Sequence, residues 1–199
     1  PASVKTLELG AFFRQQFESV ILHEGLETVG DRAFGASATK YNTVKTLVIP
    51  ASVKTIGEYA FRCWGGVTDI AFNEGTKLSS IGDYAFFGCH VAESVTIPDG
   101  VVRIGKFAFD DCSGLKCSSL ETIEIPNTVT YIGEKAFYNA YALTGMTFAE
   151  GNNEVGLEFA EQAIAYSNRL ALNPMKSFEF PARTTKIGQN VFYNRLGLT

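Results

Sequence analysis

A twelve-residue frame, P-x-x-V-x-x-I-G-x-x-A-F, recurs along this 199-residue chain and constrains its fold more than any other feature. It runs from Pro50 to Phe61, Pro98 to Phe109, Pro126 to Phe137 and Pro181 to Phe192, with Thr184 and Val191 at the Val and Ala places of the last copy. Weaker copies end at Phe12, Phe34, Phe86 and Ile164. The successive ends lie 22, 27, 25, 23, 28, 27 and 28 residues apart. A chain that repeats in this way grows by adding units to a stack, not by closing separate cores. A period of about 20 to 30 residues is too short for two helices per unit, which leaves solenoids of the leucine-rich or β-helical kind.

Each unit carries an alternating run before its proline: Val44 to Ile49, Ser94 to Ile97, Leu120 to Ile125 and Phe178 to Phe180. Alternation of β-branched and aromatic residues with polar ones predicts a half-buried strand, paired in parallel with the same strand of the next unit. Proline has no N–H to give to a ladder, so it ends the strand. After it, the Val and Ile places point into one interior. Gly57, Gly82, Gly105, Gly133 and Gly188 then allow either a positive φ or a close backbone approach at a corner. Ala followed by Phe is expected to close a short helical turn, and the Phe column at 34, 61, 86, 109, 137 and 192 to stack into one spine. The longest connections, Gly35 to Tyr41, Asp110 to Ser118 and Ala165 to Pro174, fall at one corner, where insertions often carry recognition.

The longer frame L-x-x-I-x-I-P-x-x-V-x-x-I-G-x-x-A-F-x-x-C resembles the BspA-type leucine-rich repeat of bacterial and protist surface antigens, over nearly the whole chain. The resemblance implies an α/β solenoid: a right-handed horseshoe with a concave parallel sheet, short convex helical turns or strands, and about eight units. It also implies adhesion or protein binding at a cell surface or in secreted form. The chain departs from the frame at Val155 to Ile164, where Phe159-Ala160 replaces Ile-Gly, and at Glu8, where Gly is absent. It reads as one domain over residues 1–199, with no capping unit at either end and so a part of a longer array.

Residue chemistry points away from catalysis. Lys+Arg total 17 against 21 Asp+Glu, a net charge of −4 that excludes a basic nucleic-acid surface as the default partner. Hydrophobic residues at 46% suffice for a core. No apolar run approaches the ~18 residues of a membrane span, and no basic-then-apolar leader opens the chain. Cys63, Cys89, Cys112 and Cys117 match no zinc spacing. The first three follow their Phe by two or three residues and read as turn-fillers bonded to backbone; Cys89–Cys112 and Cys112–Cys117 disulfides are the alternatives. His23 and His90 have no partner for a dyad in view, and Glu121 and Glu124 read as surface charge. The expectation is a binding scaffold with no enzyme activity, no cofactor, no metal, no nucleic acid and no membrane insertion.

The informative surface is the outward side of the pre-proline strands. One column is Ser19, Thr46, Asp69, Ser94, Thr122, Gly145 and Ser177, small and mostly uncharged. The next is Ile21, Val48, Ala71, Thr96, Glu124, Thr147 and Glu179, apolar at first and acidic later. Contiguous apolar surface on a soluble chain marks contact, so twelve of these residues form the candidate partner-binding set: Ser19, Ile21, Thr46, Val48, Asp69, Ala71, Ser94, Thr96, Thr122, Glu124, Thr147 and Glu179. The partner is expected to be a protein, with a structural spacer as the alternative role. Trp64, Tyr138 and Tyr141 at the corner after the Phe read either as aromatic filling between stacked loops or as a second candidate patch.

Overall fold

The computed structural model describes residues 1–36, 43–89, 94–110, 120–151, 154–167, 174–196 and 198. Among them stand thirteen strands and no helix. The pre-proline runs form β3 (Thr46–Ile49), β5 (Asp69–Phe72), β7 (Ser94–Thr96), β9 (Thr122–Ile125) and β11 (Gly145–Phe148). These strands pair in parallel, β3 with β5 and β7 with β9 with β11, so the predicted stacking appears as two blocks. Leu47, Ile49, Val95, Ile123 and Ile125 turn inward and are buried.

The largest sheet lies elsewhere in the unit. It joins β1 (Thr6–Leu7), β2 (Thr28–Val29), β4 (Thr55–Ile56), β6 (Ser80–Ile81), β8 (Arg103–Ile104), β10 (Tyr131–Ile132), β12 (Leu157–Phe159) and β13 (Thr184–Ile187) in one parallel ladder of eight. Most of its strands are two residues long, too short for alternation to show in a sequence. Between the two strands of a unit, proline opens a tight turn, with Val53 N–H donating to Pro50 O at 3.1 Å and Val129 N–H to Pro126 O at 3.2 Å.

The corner after the second strand is where the structure departs most from expectation. Gly57 N–H donates backward to Val29 O at 2.8 Å. Two residues later, Tyr59 N–H donates forward to Asp83 O at 2.9 Å, followed by Phe61 to Ala85 O at 2.9 Å and Cys63 to Phe87 O at 2.7 Å. The intervening amides close local turns, Ala60 onto Gly57 O and Arg62 onto Tyr59 O. A helix would spend those donors within one unit, whereas here every second donor reaches the neighbour, and the backbone is satisfied by the stack. The corner is therefore a pile of β-turns and not the expected helical turn.

The glycine and the left-handed residue are different positions. A Cβ on Gly82 would lie 2.6 Å from the carbonyl carbon of Gly57, and one on Gly105 would lie 2.5 Å from that of Gly82, so these glycines serve close approach. The positive φ sits two residues on, at Arg32 (53°), Tyr59 (57°), Tyr84 (58°), Phe107 (52°), Lys135 (55°), Gln162 (53°) and Asn190 (56°). Side chains seldom adopt that region, and the inter-unit hydrogen bonds hold them there.

The aromatic spine runs Phe12, Phe34, Phe61, Phe86, Phe109, Phe137, with parallel rings 5.2 to 5.6 Å apart. Phe192 is not in it, contrary to expectation. Ile164 occupies the intervening unit and offers no ring, so Phe192 meets Phe178 and Phe180 edge-to-face at 4.9 and 5.8 Å. That unit is irregular in its ladder as well, with a register shift between Leu157 and Glu158. Next to it, buried Arg183 donates to the carbonyls of Val129 (2.6 Å) and Pro126 (3.3 Å). Desolvation pulls its pKa below the usual guanidinium value.

Candidate partner-binding surface

Parallel pairing without a slip sets the candidate columns. Thr46 stands opposite Asp69 and Val48 opposite Ala71 in the first block. In the second, Ser94 faces Thr122, which faces Gly145, while Thr96 faces Glu124, which faces Thr147. Alternation aims all of them away from the core: Thr46, Asp69, Ser94, Thr96, Thr122, Glu124 and Thr147 are exposed, and Ala71 is half-buried. Val48 is 42% exposed between inward Leu47 and Ile49, an apolar side chain held at the surface by its place in the pleat.

The ends of the columns behave differently. Ser19 and Ile21 are exposed but belong to no strand, and they line an apolar cavity of about 240 Å³ with Phe12, Phe17 and Leu22. Glu179 is exposed and likewise outside any strand. The structure thus assembles nine of the twelve candidates on paired strands and leaves Ser19, Ile21 and Glu179 beside them.

Of the two readings of the corner aromatics, Trp64 follows the filling one. Trp64 is fully buried, packs edge-on against Phe61 at 5.2 Å and donates Nε1–H to Phe34 O at 2.7 Å. It fills the gap beside the spine and offers nothing to a partner. Tyr141 is tied down by its hydroxyl, 2.9 Å from Asn139 Oδ1 and from Ser167 Oγ, and Tyr138 is half-buried. Close by, the buried Arg195 guanidinium donates to Ile164 O and lies 4.1 Å over the Tyr166 ring; burial lowers its pKa to about 10, so it stays charged at neutral pH. Of the cysteines, Cys89 is buried and its Sγ donates to Phe61 O at 3.2 Å, the turn-filling role expected of it. Cys112, Cys117, His90 and most of the three long connections lie outside the described residues.

One group escaped the sequence reading. At the corner turns, Phe13, Arg32, Tyr59, Arg62, Tyr84 and Phe87 line a half-open cavity of about 320 Å³. Its residues come from two repeated places: Arg32, Tyr59 and Tyr84 from the left-handed one, and Phe13, Arg62 and Phe87 from the one just after the spine Phe. Among the described residues, no group of three His, Cys, Asp or Glu is arranged to hold a metal ion, and no helix is long and apolar enough to cross a membrane.

The BspA type Leucine rich repeat region model matches residues 1–116, 35–171 and 115–199 and counts six copies. Among solved structures, the fold is similar to a leucine rich cell surface protein of Faecalibacterium prausnitzii A2-165, with a TM-score of 0.67, 23% identity and cover of 98% of this chain and 46% of that one. It is also similar to the pneumococcal vaccine antigen PcpA, with a TM-score of 0.50, 21% identity and cover of 96% and 38%. The chain spans less than half the length of either protein. No curated protein matches it in sequence. A repeat that matches from the first residue to the last, built on stacked parallel ladders, makes this chain a member of the BspA-type leucine-rich repeat family.

Proposed function

We propose that the chain is a non-enzymatic scaffold that binds a protein partner across the outer face of the pre-proline strands, at a cell surface or after secretion. In this reading that face is the concave side of a right-handed coil. The observation that carries it is the exposed apolar Val48 beside Ala71, within columns of small side chains that let a flat partner approach. The surface setting rests on the relatives, one named a cell surface protein and the other a vaccine antigen. Glu124 opposite Thr96 and Thr147 continues the same face with an acidic edge, suited to fixing a partner's orientation through charge.

The test compares the chain with its Val48→Lys/Ala71→Lys double variant on an array of purified extracellular proteins, with folding matched by circular dichroism. The reading expects an arrayed protein that binds the parent and loses at least about tenfold in affinity for the variant, the size of a lost interface centre. Binding that is identical for both chains would overturn the assignment of this face. A spacer would bind none of them.

A further inference from the structure

We propose that the corner cavity between Arg32 and Arg62 binds the anionic group of an acidic sugar, carboxylated or sulfated. Three observations lead there, none involving the strand face. First, the two guanidiniums converge on one ring: Arg32 lies 5.2 Å and Arg62 5.7 Å from the Tyr59 centroid, and Arg62 is also 5.5 Å from that of Phe87. A guanidinium held over an aromatic face by cation–π attraction still has N–H donors for an acceptor, and its fork suits a bidentate oxyanion. Among the described residues neither arginine has an ion pair or side-chain hydrogen bond, whereas Lys106, two turns on, is held by Glu134 at 2.7 Å.

Second, among the described residues no carboxylate lines the cavity. Two acids of adjacent turns are occupied elsewhere: Asp31 Oδ1 accepts from Glu58 N–H at 2.8 Å, and Asp83 Oδ1 from Lys106 N–H at 2.8 Å and Arg103 at 3.2 Å. A net charge of −4 gives the chain no general pull on anions, so an anion bound here is bound by this local pair.

Third, the form of the cavity selects a ring over a peptide. Its volume of about 320 Å³ is the size of one or two small rings, and Phe13, Tyr84 and Phe87 supply apolar wall beside the charge. A peptide would gain most by adding to a free backbone edge. The corner has none to offer, because Arg32 N–H is given to Glu58 O, Tyr59 N–H to Asp83 O and Arg62 N–H to Tyr59 O. Recognition must come from side chains, as sugar recognition does.

The experiment titrates the chain, at 50 mM and 500 mM NaCl, with a heparin disaccharide, sialyllactose, neutral lactose and a glutamate pentapeptide. The Arg Nε–Hε resonances of Arg32 and Arg62 report occupancy at the site. The heparin and sialyl arms distinguish sulfate from carboxylate. Saturable shifts of both resonances by at least one acidic sugar, weakened about tenfold by Arg32→Gln or Arg62→Gln and weakened by salt, support the site. Lys186→Gln, on a distant turn, should leave the affinity unchanged. Equal binding of lactose, equal binding by the Arg32→Gln/Arg62→Gln variant, or no shift with any sugar would overturn the proposal, and tighter binding of the pentapeptide than of either sugar would overturn the choice of ligand. Val48→Lys/Ala71→Lys must leave these titrations intact, which separates this site from the strand face.

Discussion

The corner shows how two neighbouring residues divide one task. Gly105 is needed because a Cβ there would sit 2.5 Å from the backbone carbon of Gly82 and 2.6 Å from the amide nitrogen of Asp83, neither of which can swing away. Phe107, two residues later, takes the left-handed φ that glycine usually supplies. Gly105→Ala is expected to cost about 2–3 kcal/mol, as overpacking against fixed atoms does. Gly75→Ala is the control, since its φ is +70° but nothing lies within 4 Å of the added carbon; its cost should be only about 1 kcal/mol. Urea unfolding of both variants gives the comparison, and equal costs would contradict the close-approach role of the corner glycine. From sequence the glycine's two possible uses could not be separated, because Tyr59, Tyr84 and Phe107 carry no sign of a left-handed backbone in their residue type.

At the scale of elements, stacking like on like is the recurring device. Phe86 lies between Phe61 and Phe109, with rings 5.6 and 5.3 Å away, and is fully buried; Phe12 ends the spine and is 39% exposed. Phe86→Ala should cost about 3–5 kcal/mol. Phe12→Ala should cost less than half as much, measured by thermal and urea unfolding. The proline turns stack as well, joined by carboxylates. Glu24 accepts from Ala51 N–H at 2.9 Å, Asn73 Nδ2 at 3.1 Å and Ser52 N–H at 3.1 Å, which holds its pKa below the usual 4.5; Glu27 is lowered by Lys54 and then by Lys5. A carboxyl with a depressed folded pKa adds stability that is complete above the unfolded value and is lost as pH falls through the folded one. Urea midpoints are therefore expected to hold from pH 7 to pH 5.5 and to fall below about pH 4.5. Glu24→Gln should flatten part of that fall.

The strands before proline and the Phe column were legible because period-2 alternation and a fixed place survive insertions. The corner was misread as helical because Ala-Phe looks the same in a helix and in a β-turn. What decides between them is the acceptor of Phe61 N–H, which is Ala85 in the next unit and so invisible within one frame. The strand columns were legible to the extent that pairing keeps register. Ser19, Ile21 and Glu179 fall outside the strands, and alternation alone could not show it. The Arg32–Tyr59–Arg62 cavity was missed because its parts come from several units and have no motif; two repeated columns, the left-handed place and the place after the spine Phe, supply them.

For the molecule as a whole, each unit completes its neighbour, in side chains through the spine and in backbone through the corner turns. Stability then resides in unit interfaces, and damage in one should spread to the next. The most direct measurement is native-state hydrogen exchange at the amides of Tyr59, Phe61, Tyr84, Phe86, Phe107 and Phe109. Each donates to the following unit at 2.7 to 3.0 Å, so all six should be protected and should open with one common free energy under mild denaturant. Exchange at these amides as fast as in an isolated turn would contradict the stacked account.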